Sequence, residues 1–150
     1  MAGVNVLLGV GGGIAAYKAA ELVRLLRKAE AAVHVIMTAA AQQFITPLTL
    51  QSLSGNPVAT ELFDLARETE GSGIGHIDLA DRADLLVVCP ATADLLARLA
   101  HGHADDLLTT VALACQAPLL VCPAMNVNMW AHQAVQDNLQ RLITRGASVC

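Results

Sequence analysis

Apolar residues along this chain gather into short runs, each ended by glycine, proline or a hydroxyl and followed by a stretch of helical period. Val4–Val10 (VNVLLGV), Ala32–Met37 (AVHVIM), Asp84–Cys89 (DLLVVC) and Pro118–Cys122 (PLLVC) are such runs. They carry little polar alternation, which is the pattern of strands buried on both faces in a parallel sheet covered by helices. Between them, apolar positions recur at helical spacing from Ile14 to Leu26 and over Leu107–Cys115. They do so again over 131–145, where Val135, Leu139, Leu142 and Ile143 fall on one side. Ala147–Cys150 reads as the opening of a further strand. The alternation predicts an α/β fold: a Rossmann-like, doubly wound parallel sheet flanked by helices, in a single domain over 1–150.

The breaks carry the candidate chemistry. Gly11-Gly12-Gly13 joins the first strand to the first helix, a geometry that aims free backbone N–H groups at an anion. The dinucleotide fingerprint fits poorly, because its sixth position is Ile14 and the second strand ends in Thr38 rather than an acid. A phosphate held by backbone and hydroxyls is the better expectation; a tight glycine turn with nothing bound is the alternative. Pro47 biases Thr46 away from helix, so 38–53 should split into two short helical pieces. Phe44, between them, either walls a flat ligand or is a plain core residue.

Residues 60–75 lose periodicity and turn acidic and glycine-rich, as a mobile surface segment would. His76 follows, at the N-terminal end of a short helix carrying Ile77, Leu79 and Ala80. That position disfavours the imidazolium and leaves a neutral ring able to accept a proton; a plain surface histidine is the competing reading. The third strand runs into Pro90-Ala91-Thr92-Ala93-Asp94, where Asp94 is placed to cap the next helix. Gly102–Asp106 reads as another break and cap.

The fourth strand runs into VCPAMNVNMW, which holds the only tryptophan. Residues at the carboxyl ends of parallel strands line ligand crevices, so two strand ends followed by Pro-Ala predict two walls of one crevice. The alternative makes Asn126 a helix N-cap, with Met129 and Trp130 packed back onto the core.

Composition narrows the picture. Apolar residues make up 55% and charged ones 15%, with aromatics at 3%, so the core is aliphatic and the polar coat thin, as in an oligomer. A net charge of −4 argues against nucleic acid and against an acidic membrane surface. No run reaches the roughly 18 apolar residues of a membrane span, and the N-terminus lacks a signal-peptide pattern. Cys89, Cys115, Cys122 and Cys150 form no CxxC or zinc spacing, so reduced thiols in a cytoplasmic protein are expected. The histidines lack ligand spacing, and a metal site is unsupported.

Four stretches together resemble the flavin-dependent cysteine decarboxylases: GVGGGIAAYKAAELVRLLRK, MTAAAQQFITPLTLQSLSG, GHIDLADRADLLVVCPATADLLARLAHGHADDLLTT and PAMNVNMW. The resemblance is strongest to the branch serving coenzyme A biosynthesis. It implies an FMN cofactor whose phosphate lies at Gly12, Gly13 and Ile14. It further implies cofactor contacts from Thr38, from Phe44 near the isoalloxazine, and from Pro90, Ala91, Thr92, Asp94 and Met125. His76 would be the active-site histidine, and Asn126 the amide holding the substrate carboxylate. The implied reaction is carboxy-lyase chemistry on 4′-phospho-N-pantothenoylcysteine, giving 4′-phosphopantetheine. Homotrimers or dodecamers with shared sites are implied too, as is a fused or separate phosphopantothenate–cysteine ligase.

Two departures qualify the resemblance. The family's usual serine after the first strand is Gly11 here, which predicts weaker FMN binding. The family also continues past position 150 into a flap whose cysteine completes the final reduction, and Cys150 precedes that place. A chain without the flap would decarboxylate but not finish. A peptidyl-cysteine decarboxylase and a non-catalytic FMN-binding regulatory subunit are the alternatives.

Overall fold

The computed structural model describes residues 1–62 and 75–150, with His76 described by its backbone alone. Strand β1 (Asn5–Val10) lies between β2 (Ala32–Met37) and β3 (Leu85–Ala91), parallel to both. Strands β4 (Leu119–Pro123) and β5 (Ser148–Val149) complete an all-parallel sheet of order β2-β1-β3-β4-β5. The winding reverses between β1 and β3, so their carboxyl ends diverge into a crevice at the topological switch point.

The unbroken apolar runs are explained by burial on both faces. Helices α1 (Tyr17–Lys28) and α2 (Pro47–Ser54) cover one face, packing on Val6, Leu8, Val10, Val33 and Val35. The other face buries Leu7, Ile36, Leu86, Val88 and Val121 under α3 (His76–Arg82), α4 (Ala93–Ala100) and α5 (Leu107–Ala114). The short α6 (Val127–Ala131) then leads into α7 (Gln133–Thr144), whose Val135, Leu139 and Leu142 complete that layer. The doubly wound α/β architecture is the one expected. Among the described residues no helix is long and apolar enough to cross a membrane.

Several local expectations are corrected. The third strand continues through Pro90 to Ala91, because a register shift between Val88 and Ala91 accommodates a residue with no N–H. The 131–145 helix is broken at His132, whose Nδ1 accepts the Ala134 N–H at 3.0 Å and caps α7. Ile143 is 41% exposed, off the buried stripe. Asp94 does not cap α4; Thr92 does, its Oγ1 accepting the Leu95 N–H at 3.1 Å. Pro47 opens α2 after an extended Thr46, as expected. Most of the segment expected to be mobile, residues 63–74, lies outside the described residues.

The four cysteines are not four separate thiols. Cys122 and Cys150 lie side by side on β4 and β5, with Cα atoms 5.1 Å apart and sulfurs paired, whereas Cys89 and Cys115 are free.

Candidate active site

A crevice of about 740 Å³ opens over the carboxyl ends of β1, β3 and β4, within the range typical of small-molecule sites. One end is the glycine turn. Gly13 is extended and no side chain caps the short 3₁₀ turn Ile14–Ala16 that leads into α1. The first N–H groups of that turn therefore face the crevice without a side-chain acceptor, as an anion site requires. Gly12 is fixed by space: an added Cβ would collide with the Ala40 side chain and come within 2.7 Å of its carbonyl carbon. At Gly11 the N–H donates to the Pro90 carbonyl at 3.1 Å. A side chain there would strike that oxygen, so the place where the resemblance expects a serine is occupied by backbone.

Thr38 lines the crevice beyond β2. Its Oγ1 donates to the Val10 carbonyl at 3.3 Å and accepts the Ala41 N–H at 3.1 Å. With its proton engaged, the hydroxyl offers the crevice a lone pair rather than a donor. Thr92 is the complement. Its lone pair caps α4, which leaves the hydroxyl hydrogen to turn toward a ligand.

Asp94 lines the same wall with its side chain 85% exposed. Arg98, one turn on, reaches Asp94 at 4.0 Å, Asp106 at 3.6 Å and the Asp105 carboxylate in a close hydrogen bond. Burial alone would weaken the Arg98 charge, but the Asp105 hydrogen bond and the three carboxylates outweigh it and raise its pKa. Partial burial likewise opposes ionisation of Asp105, yet the Arg98 contact holds that carboxyl below its ordinary value. Asp106 also caps α5 by accepting the Thr109 N–H at 2.8 Å. This ion cluster ties the crevice wall to the start of α5.

The far wall is the β4 end, where Met125, Asn126 and Met129 line the crevice. Asn126 is the N-cap of α6, its Oδ1 accepting the N–H groups of Asn128 and Met129. The capping half of the competing expectation therefore holds. The packing half does not: Met129 and Trp130 are 47% and 38% exposed. Capping and crevice-lining coexist in Asn126, because the oxygen is used by the helix and Nδ2 is left as a donor.

Nine of the expected residues thus meet in one crevice: Gly12, Gly13 and Ile14 at the turn, Thr38 beside it, Pro90, Thr92 and Asp94 on the second wall, Met125 and Asn126 on the third. Two of the others, Ala91 and Phe44, do not join them as expected, and the third, His76, is untested. Ala91 is fully buried and hydrogen-bonds Ala124 from within the sheet. Phe44 stands 54% exposed after the 3₁₀ turn Ala41–Gln43 and does not line the crevice. The His76 backbone opens α3, but its side chain lies outside the described residues. Arg98 and Asp106 were not expected; the i, i+4 spacing of Asp94 and Arg98 was the available signal. Among the described residues no cluster of His, Cys, Asp and Glu could hold a metal ion.

Comparison with known proteins agrees with this geometry. The flavoprotein family model matches residues 1–150. The coenzyme A biosynthesis bifunctional protein CoaBC of Vibrio cholerae is 55% identical over 146 residues, which is 97% of this chain. The chain spans 36% of that relative's length. Among solved structures, the FMN-dependent cysteine decarboxylase SpaF superposes with a TM-score of 0.88 at 34% identity, covering 99% of this chain and 83% of SpaF. A PPC decarboxylase mutant complexed with pantothenoylaminoethenethiol gives a TM-score of 0.80 at 30% identity, with 98% and 81% covered. With its whole described length matched, its sheet order and its crevice accounted for, the chain belongs to the flavoprotein family.

Proposed function

We propose that this chain binds FMN and decarboxylates 4′-phospho-N-pantothenoylcysteine to 4′-phosphopantetheine, as the amino-terminal part of a coenzyme A biosynthesis enzyme. The observation that carries the proposal is one crevice with an uncapped helix start at one end and the free Asn126 amide donor at the other. Relatives named for coenzyme A biosynthesis and a fold neighbour named PPC decarboxylase support the substrate.

The residues present fit FMN. The N–H groups of Gly12, Gly13 and Ile14 suit its phosphate, and the Thr38 lone pair suits a ribityl hydroxyl. The apolar walls at Ile14, Leu95 and Met125 suit a flat ring. A carboxylate on an unactivated carbon does not leave, because the electrons it gives up have no sink. Bound FMN supplies the two-electron oxidation of the cysteine-derived C–S unit that creates one.

The chain's own residues then orient and exclude. Asn126 Nδ2 donates to the substrate carboxylate without a full positive charge, which would favour the starting anion over the charge-dispersed transition state. Thr92 donates its free hydroxyl hydrogen to the cofactor, and Asp94 and Arg98 hold the same wall. His76, whose backbone opens α3, serves as the acid or base of the reaction. The site is shared between copies in a homotrimer or dodecamer. The rim supports this: Ile14 and Val127 are 83% and 74% exposed beside the crevice. A fused or separate phosphopantothenate–cysteine ligase supplies the substrate, and the enzyme works in the cytoplasm.

Substrate choice tests the assignment. FMN-loaded protein given phosphopantothenoylcysteine or a peptide ending in cysteine, with CO2 measured, should release it from the former. Release from the peptide alone would move the assignment to a peptidyl-cysteine decarboxylase.

A further inference from the structure

Three cysteines lie outside the crevice on neighbouring strands. Val121 pairs with Val149, so one position further along Cys122 and Cys150 fall opposite one another on β4 and β5, while Cys89 lies on β3 within the register shift between Val88 and Ala91. They share the sheet face covered by α1 and α2, toward the edge those helices leave partly open. Cys122 is only part-buried there and Cys150 is exposed. The Cα atoms of Cys122 and Cys150 are 5.1 Å apart, inside the window a disulfide spans.

Among the described residues β5 makes two ladder pairs with β4, and both Ser148 and Val149 are exposed. The Cys150 N–H adds one bond, to the Val121 carbonyl at 3.0 Å. β4 itself runs directly into Met125 and Asn126 of the crevice wall.

We propose that Cys122 and Cys150 form a reversible disulfide that latches edge strand β5 onto β4 behind the crevice wall, set by exchange with a low-molecular-weight disulfide. One thiolate attacks a sulfur of the small disulfide and expels one small thiol. The second thiolate attacks the resulting mixed disulfide, forming the Cys122–Cys150 bond and expelling the other. The two cysteines lose two electrons and two protons in total, and the small disulfide becomes two thiols. Cys89 does not compete, because burial pushes its thiol up against a smaller opposing effect of Lys18 and keeps it protonated.

The test treats the purified chain with oxidised glutathione or with a dithiol, alkylates the remaining thiols and maps them by peptide mass. The oxidised sample should lose two of four alkylation sites, those of Cys122 and Cys150, and the dithiol should restore both. Amide hydrogen exchange over 147–150 should slow roughly tenfold or more in the oxidised form. Cys150→Ser should form no internal bond and keep fast exchange under both treatments. Four alkylated cysteines after oxidation, a lasting glutathione adduct, a bond using Cys89 or Cys115, a bond the dithiol leaves closed, or equal exchange rates would each overturn the latch.

Discussion

The side-chain oxygen of Asn126 accepts the backbone N–H of Asn128 at 2.7 Å and that of Met129 at 3.3 Å, and these bonds decide which face of the amide the crevice meets. The helix takes the acceptor, so the donor is presented to a ligand. Asn126→Asp keeps the cap and replaces the donor by a second acceptor carrying charge. The variant should keep its melting temperature and FMN affinity but lose at least about a hundredfold in kcat/KM, near 3 kcal/mol. Asn126→Ala should also cost about 1 kcal/mol of stability through the lost cap. Steady-state kinetics beside thermal melts separate the two, and full activity in Asn126→Asp would remove the amide from substrate binding.

Gly12 is held against Ala40 so closely that no side chain fits without moving backbone. Gly12→Ala should therefore destabilise by about 1–3 kcal/mol and weaken FMN binding at the adjoining turn. Denaturant unfolding of the cofactor-free protein and an FMN titration read the two effects. An unchanged midpoint would show that the turn yields.

Arg98 joins Asp94, Asp105 and Asp106. Arg98→Gln leaves three carboxylates facing one another, so the variant should melt lower than the parent at pH 7. The sign follows from Asp105, whose folded pKa lies below its ordinary 3.8. Its contribution is present above that value and is lost as pH falls through the lowered one. The gap in melting temperature should shrink as pH drops below 4, and a constant gap would contradict the ion-cluster account.

His34, on β2, is part-buried, and burial chiefly, with Arg82 nearby, lowers its pKa from 6.5. The unfolded chain then binds more protons than the folded one just below pH 6.5, so stability falls as pH drops through that range. His34→Gln should lose less melting temperature than the parent between pH 7.5 and pH 5. Equal losses would mean His34 does not titrate against the fold.

Much of this was legible because burial writes itself plainly into apolar runs: β1, β2 and β4 match their sequence runs to within a residue, and β3 starts where expected. The carboxyl-end rule then placed most of the crevice. What escaped depended on three-dimensional neighbours. Pro90 looked like a strand end, but a register shift lets it stay in the ladder. Asp94 and Thr92 are both capping types, and only backbone geometry selects Thr92. Asp106 reads as part of a cap, which it is, but its meeting with Arg98 depends on the α4–α5 junction. Cys122 and Cys150 are 28 residues apart and meet only through a two-pair edge strand. Phe44 was expected as a ligand wall or a core residue, and at 54% exposed and outside the crevice it is neither within one copy of the chain.

The most direct test of the central claim is anaerobic mixing of FMN-loaded protein with phosphopantothenoylcysteine, following flavin absorbance and product mass together. The account predicts bleaching of the flavin band in step with CO2 loss, and a product two hydrogens short of 4′-phosphopantetheine wherever the flap is lacking. Bound FMN that stays oxidised, with substrate recovered intact, would contradict it and leave the crevice as a binding site for a regulatory flavoprotein.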